Sequence, residues 1–156
     1  MFEKVLIANR GEIAIRVIRA CRDRQIATVA IYSDADRDAR HVELADAAFH
    51  VGPARAAESY LAIDRIIAVA EEAGVDAVHP GYGFLAENPT FARSVIDAGM
   101  TWIGPPPAAM RQLGDKTAAR TLMADAGVPV IPGSEEPIED VDAVHAFGET
   151  HGYPVA

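Results

Sequence analysis

Short apolar runs rich in β-branched residues alternate along this chain with segments of helical spacing, and that alternation limits the fold more than any other feature. Lys4 to Ala8 is the first run; it stops at Asn9-Arg10-Gly11, and from Glu12 the spacing is helical. On a helical wheel Ile13, Val17, Ala20 and Cys21 share a stripe flanked by Ala14 and Ile18, with Arg16, Arg19 and Asp23 together on the opposite side. Thr28 to Tyr32 is the second run, stopped by Ser33, Asp34 and Asp36, so the opening unit is βαβ. Ile63, Ile66, Ile67, Ala70 and Ala73 form a further helical face closed by Gly74, and Ala77 to His79 is a short strand. Pro89 to Ala98 predicts a helix with proline in its first turn, Thr101 to Ile103 a strand, and Gly104-Pro105-Pro106-Pro107 a sharp break. Strands and helices alternating at this spacing predict an α/β fold, a mostly parallel sheet with helices on both faces.

Beyond the break, Asp115 is the expected N-cap of a helix reaching Ala126, with Gly127 after its end. Val128 to Asp142 holds three prolines and five acids and reads as a connector, followed by a helix from Val141 to Glu149. Tyr153-Pro154-Val155-Ala156 looks like a strand being entered. At 156 residues the chain fits one ordinary domain or one domain and the start of another; since a strand entered at its final residues would have no sheet to join, it is expected to be a fragment that stops where the next element begins.

Charge and cysteine usage remove several classes of function. The 14 basic residues face 23 acidic ones, a net charge of -9, which lacks the basic excess needed to neutralise nucleic-acid phosphates. No apolar run is long enough to span a membrane, and Lys4 inside the first run argues against a signal peptide. A single cysteine, Cys21, allows no intrachain disulfide, so a reducing, cytoplasmic setting is expected. The five histidines have no metal-ligand spacing, and no metal site is expected from this segment.

In open α/β sheets ligands sit beyond the carboxyl ends of the strands, which directs attention to Asn9 to Glu12, Ser33 to Arg37, His79 to Asn88 and Gly104 to Lys116. The first loop offers one glycine, Gly11, where a dinucleotide fingerprint needs three, so an NAD site is rejected. Gly114-Asp115-Lys116-Thr117 fails as a P-loop because Asp115 separates glycine from lysine. Lys116 nevertheless falls in the first turn of a helix, where a cation opposes the helix dipole; it is either a solvated lysine screened by Asp115 or a lysine placed for an anion. In His79-Pro80-Gly81-Tyr82-Gly83-Phe84-Leu85 two glycines surround a tyrosine. A tight turn with a surface-packed ring and a turn that delivers Tyr82 to a ligand both fit that loop, and His79 and Glu87 add polar groups. The charged face of Arg16, Arg19 and Asp23 is either solvated or a contact with a second subunit.

Val5-Leu6-Ile7-Ala8-Asn9-Arg10-Gly11-Glu12-Ile13-Ala14, His79 to Leu85 with Glu87-Asn88, Trp102-Ile103-Gly104-Pro105 and Gly114-Asp115-Lys116 together resemble the N-terminal part of biotin carboxylase. That component is shared by acyl-CoA and pyruvate carboxylases. The resemblance implies a Rossmann-like pre-ATP-grasp domain over residues 1–114 and, over 115–156, a helical connector and the truncated start of an ATP-grasp domain. It also implies a ligase reaction: ATP-dependent carboxylation of biotin through bicarbonate activated as carboxyphosphate, with magnesium or manganese on the phosphates. On matching positions Lys116 would bind ATP, Tyr82 and Gly83 would line the biotin pocket, and Arg16, Arg19 and Asp23 would lie on a homodimer face. Asn9, Arg10, Gly11, Glu12 and Glu87 would stand near the cleft, and no catalytic residue is expected within this segment. The implied partners are a biotin carboxyl carrier protein or domain and a carboxyltransferase subunit. Another ATP-grasp ligase and a non-enzymatic assembly or dimerisation module are the alternatives, and the segment alone is expected to be inactive.

Overall fold

In the computed structural model the described residues are 2–114, 116–131, 133 and 140–155, with the side chains of 116 and 117 outside the description. The chain divides into two compact units, Met1–Met110 and Arg111–Ala156.

The first unit is built on strands β1 (Lys4–Ile7), β2 (Ala27–Ser33), β3 (Ala47–Gly52), β4 (Ala77–His79) and β5 (Thr101–Trp102). Helices α1 (Gly11–Arg22), α2 (Arg40–Leu44), α3 (Ile63–Ala73) and α4 (Pro89–Asp97) connect them, and α5 (Pro107–Leu113) follows β5. The sheet order is β3-β2-β1-β4-β5 and every neighbouring pair is parallel, which confirms the α/β expectation. Successive strand side chains point to opposite faces, so each central strand feeds two cores. Val5, Ile7 and Ala77 join Ala14, Val17, Ile18 and Cys21 of α1 in one. Leu6, Val29, Ile31 and Val78 join Ile66, Val69 and Ala70 of α3 and Phe91, Ala92 and Val95 of α4 in the other.

One sequence expectation changes in this unit, and three elements, β3, α2 and α5, come without a sequence signal. The buried stripe of α1 is Ala14, Val17, Ile18 and Cys21, while Ala20 is exposed, because the Ile13 and Ala20 side of the helix borders an open groove toward Ile103. β3 and α2 carried no signal: β3 is an edge strand with two alanines and a histidine and little burial, and the β2-to-β3 crossover uses a helix of only five residues. The proline run breaks the chain after β5 as expected, and α5 follows at once, since Pro107 opens it where a missing N–H costs nothing. Trp102 steadies that turn: its Nε1 donates to Pro105 O at 3.0 Å, and its ring meets Phe91 edge-on at 5.5 Å.

The second unit holds α6 (Lys116–Asp125) and α7 (Val141–His151), the latter capped by Asp140, whose carboxylate accepts the Ala143 N–H at 2.7 Å. Tyr153 to Val155 form no strand; among the described residues of this unit there is no strand for them to pair with. The Asp115 cap and most of the acidic connector lie outside the described residues.

Candidate functional site

The strand order reverses direction between β1 and β4, so the loops leaving their carboxyl ends diverge and open a crevice. Asn9 holds the two loops at a fixed distance. It is 3% exposed, and its Nδ2 donates to Pro80 O at 2.7 Å and Tyr82 O at 2.8 Å, while its Oδ1 accepts the Arg10 N–H at 2.9 Å. Both amide hydrogens of one side chain are thereby spent on carbonyls some seventy residues away, a pairing that the buried position makes obligatory.

Gly81 makes this approach possible. Its φ is +66°, and a Cβ there would sit 2.9 Å from Asn9 Nδ2 and 3.0 Å from Ile13 Cγ1. Its N–H donates to His79 Nδ1 at 3.0 Å, which requires that nitrogen to be unprotonated, and burial holds the His79 pKa below the ordinary histidine value. Past Gly83, also left-handed, Phe84 adopts φ +43°, a conformation a bulky side chain keeps only when its surroundings enforce it.

The turn projects Tyr82 outward, 58% exposed, with its hydroxyl donating to Glu12 in the first turn of α1; the carboxylate raises the Tyr82 pKa. Glu12 is also 4.0 Å from Arg16. Between the loops lies an open cleft of about 260 Å³ lined by Asn9, Arg10, Glu12, Ile13 and Tyr82 to Phe84. It combines an aromatic wall, a cation and a carboxylate, the makings of a binding surface for a small polar ring. Among the described residues no group of three or more metal-ligating side chains occurs, and no helix is long and apolar enough to cross a membrane.

The sequence-derived residues thus divide. Asn9, Arg10, Glu12, Tyr82 and Gly83 converge on the cleft, whereas Gly11 opens α1 beside it and Glu87 is exposed in the turn before α4, away from the cleft lining. Arg16, Arg19 and Asp23 are exposed on or at the end of α1, Asp23 as its C-cap. Lys116 begins α6, and its side chain lies outside the described residues. Sequence reasoning missed Asp36 and Tyr60. The Asp36 carboxylate accepts from Tyr60 Oη at 2.7 Å and Ser33 Oγ at 3.1 Å and lies 3.3 Å from Arg10 Nη1. Only the position of Asp36 at the end of a strand hinted at a role.

Residues 1–110 match the family described as "Biotin carboxylase, N-terminal domain", and residues 115–156 match "Carbamoyl-phosphate synthase L chain, ATP binding domain". The chain is 56% identical over 155 residues to a biotin carboxylase of Halalkalibacterium halodurans, covering 99% of this chain and 34% of that protein. It is 54% identical over 153 residues to a biotin-dependent acyl-coenzyme A carboxylase alpha3 subunit of Mycobacterium leprae, covering 98% of this chain and 26% of that one. Among solved structures it is similar to the biotin carboxylase domain dimer of the Hydrogenobacter thermophilus 2-oxoglutarate carboxylase in complex with MgADP, ADP and bicarbonate. That match has a TM-score of 0.89 at 48% identity and covers 99% of this chain and 34% of that one. The chain therefore spans about a third or less of the relatives it matches.

Proposed function

The chain belongs to the biotin carboxylase family by its N-terminal domain, and from that membership we propose that it is the first part of an enzyme that uses ATP and bicarbonate to carboxylate biotin on a carrier protein or domain. Residues 1–114 serve as the pre-ATP-grasp domain and 115–156 begin the ATP-grasp domain. The observation that carries this reading is the Asn9-braced crevice between β1 and β4, from which Tyr82 stands out beside an open cleft. Tyr82 and Gly83 supply one wall of the biotin pocket: the ring covers an apolar face of the ligand, and the left-handed glycine lets backbone come close. Arg10, held on Asp36, and Glu12 set the polarity of the rim near Asn9 and Gly11, with Glu87 further out.

ATP, with magnesium or manganese, supplies the phosphoryl chemistry when bound. Lys116 at the start of α6 meets the nucleotide phosphates, where a polyanion interacts favourably with both the lysine and the positive helix end. Metal ligands and catalytic groups come from the portion of the protein beyond this chain. Arg16, Arg19 and Asp23 form the contact with a second copy, and the carboxyltransferase subunit that receives the carboxyl group is a separate partner. The setting is the cytoplasm. ATP cleavage by the full-length protein, assayed with bicarbonate and with or without free biotin, tests the reading: biotin-stimulated turnover is expected, and turnover indifferent to biotin would refute it.

A further inference from the structure

Phe84 is the one strained non-glycine residue of the Tyr82 turn, and the contact that can hold its φ of +43° is a stack on Tyr60, with ring centroids 5.1 Å apart and planes 12° from parallel. Tyr60 is itself fixed at both ends. Its ring is 1% exposed, and its hydroxyl accepts the Ser33 N–H at 3.0 Å and donates to Asp36 at 2.7 Å. The Arg10 guanidinium, 3.3 Å from the same carboxylate, lies 5.8 Å from the Tyr60 ring centre. One buried phenol therefore joins the loop after β2 to the turn after β4, and it does so beside the cation at the rim of the cleft.

We propose that Tyr60, anchored by Asp36, is a positioning residue for the cleft: its ring is the platform that keeps Phe84 left-handed, and so keeps Tyr82 and Gly83 facing the ligand. The ligand part of this inference rests on the biotin reading above; the positioning part does not. Ring and hydroxyl separate the two contributions. Tyr60→Phe keeps the platform but leaves the Ser33 N–H without its acceptor and takes one donor from Asp36, which keeps Ser33 Oγ and Arg10, so it costs stability while leaving the turn in place. Tyr60→Leu removes the platform, and Phe84→Ala removes the other half of the stack without touching the buried anchor.

The turn has built-in reporters, since the Ala86 N–H bonds Gly83 O at 2.9 Å and the Asn88 N–H bonds Leu85 O at 3.0 Å. In the full-length protein, amide exchange at Ala86 and Asn88 should accelerate about tenfold in Tyr60→Leu and in Phe84→Ala and stay within about twofold of wild type in Tyr60→Phe. The KM for free biotin should follow the same order, rising roughly five- to tenfold in the first two variants, with the double variant no worse than either alone. Exchange and KM that instead track thermal stability, so that Tyr60→Phe moves with Tyr60→Leu, would overturn the proposal, as would unchanged exchange in Phe84→Ala. Faster exchange in the two platform variants, together with a Tyr82→Ala variant of normal biotin KM, would uphold the positioning and remove the biotin reading.

Discussion

At the scale of single residues, three side chains carry separable expectations. Asn9→Ala strands the Pro80 and Tyr82 carbonyls, one of them in a buried bond, and should lower unfolding free energy by about 1–3 kcal/mol in denaturant titrations. His79 contributes to the slope of the stability profile just below neutral pH. Burial depresses its pKa in the folded chain, and His41, 1% exposed with Nε2 on Ile31 O at 3.1 Å, is depressed for the same first reason. The unfolded chain therefore takes up these protons first. Their contribution is complete above the unfolded value of about 6.5, declines below it and is gone once the pH passes the folded values. Unfolding free energy should fall as the pH drops below about 6.5, and His79→Asn should flatten that fall. Equal slopes for the two proteins would remove His79 from the account. Lys116→Gln keeps most of the stem and removes the charge, so nucleotide titration should show ATP binding weakened by about 1–3 kcal/mol.

At the scale of elements, α1 faces three ways. Its buried stripe closes one core, its first turn carries Glu12 to the Tyr82 hydroxyl, and Arg16 and Arg19 are exposed. Reversing both arginine charges in the full-length protein should weaken self-association in a salt-dependent way; sedimentation unchanged across protein concentration and salt would return that face to solvent. The elements with clear apolar periodicity, β1, α1, β2, α3, β4 and α4, were legible because their burial repeats at the period of the element. β3, α2 and α5 were not: an alanine-rich edge strand, a five-residue helix and a proline-initiated turn have too few buried positions to establish a period. The site divided the same way. Asn9 and Tyr82 could be placed together because strand ends deliver them to one edge of the sheet. Tyr60 lies between the 3-10 turn Ala56–Glu58 and α3, and its partners Ser33, Asp36 and Phe84 meet it only through tertiary packing.

At the scale of the whole molecule, a five-stranded parallel sheet with a core on each face is a self-sufficient framework, and the cleft at its switch point offers binding groups without a metal cluster among the described residues. Because the chain spans about a third or less of its relatives' length, residues 1–156 should unfold cooperatively yet show no biotin-dependent ATP cleavage, which any measurable turnover by the isolated chain would contradict. The proposed wall of the biotin pocket is a claim that steady-state kinetics of Tyr82→Ala in the full-length protein can decide. The KM for free biotin should rise by roughly tenfold or more while the KM for ATP stays within about twofold. Equal changes in both constants, or no change in either, would contradict the claim.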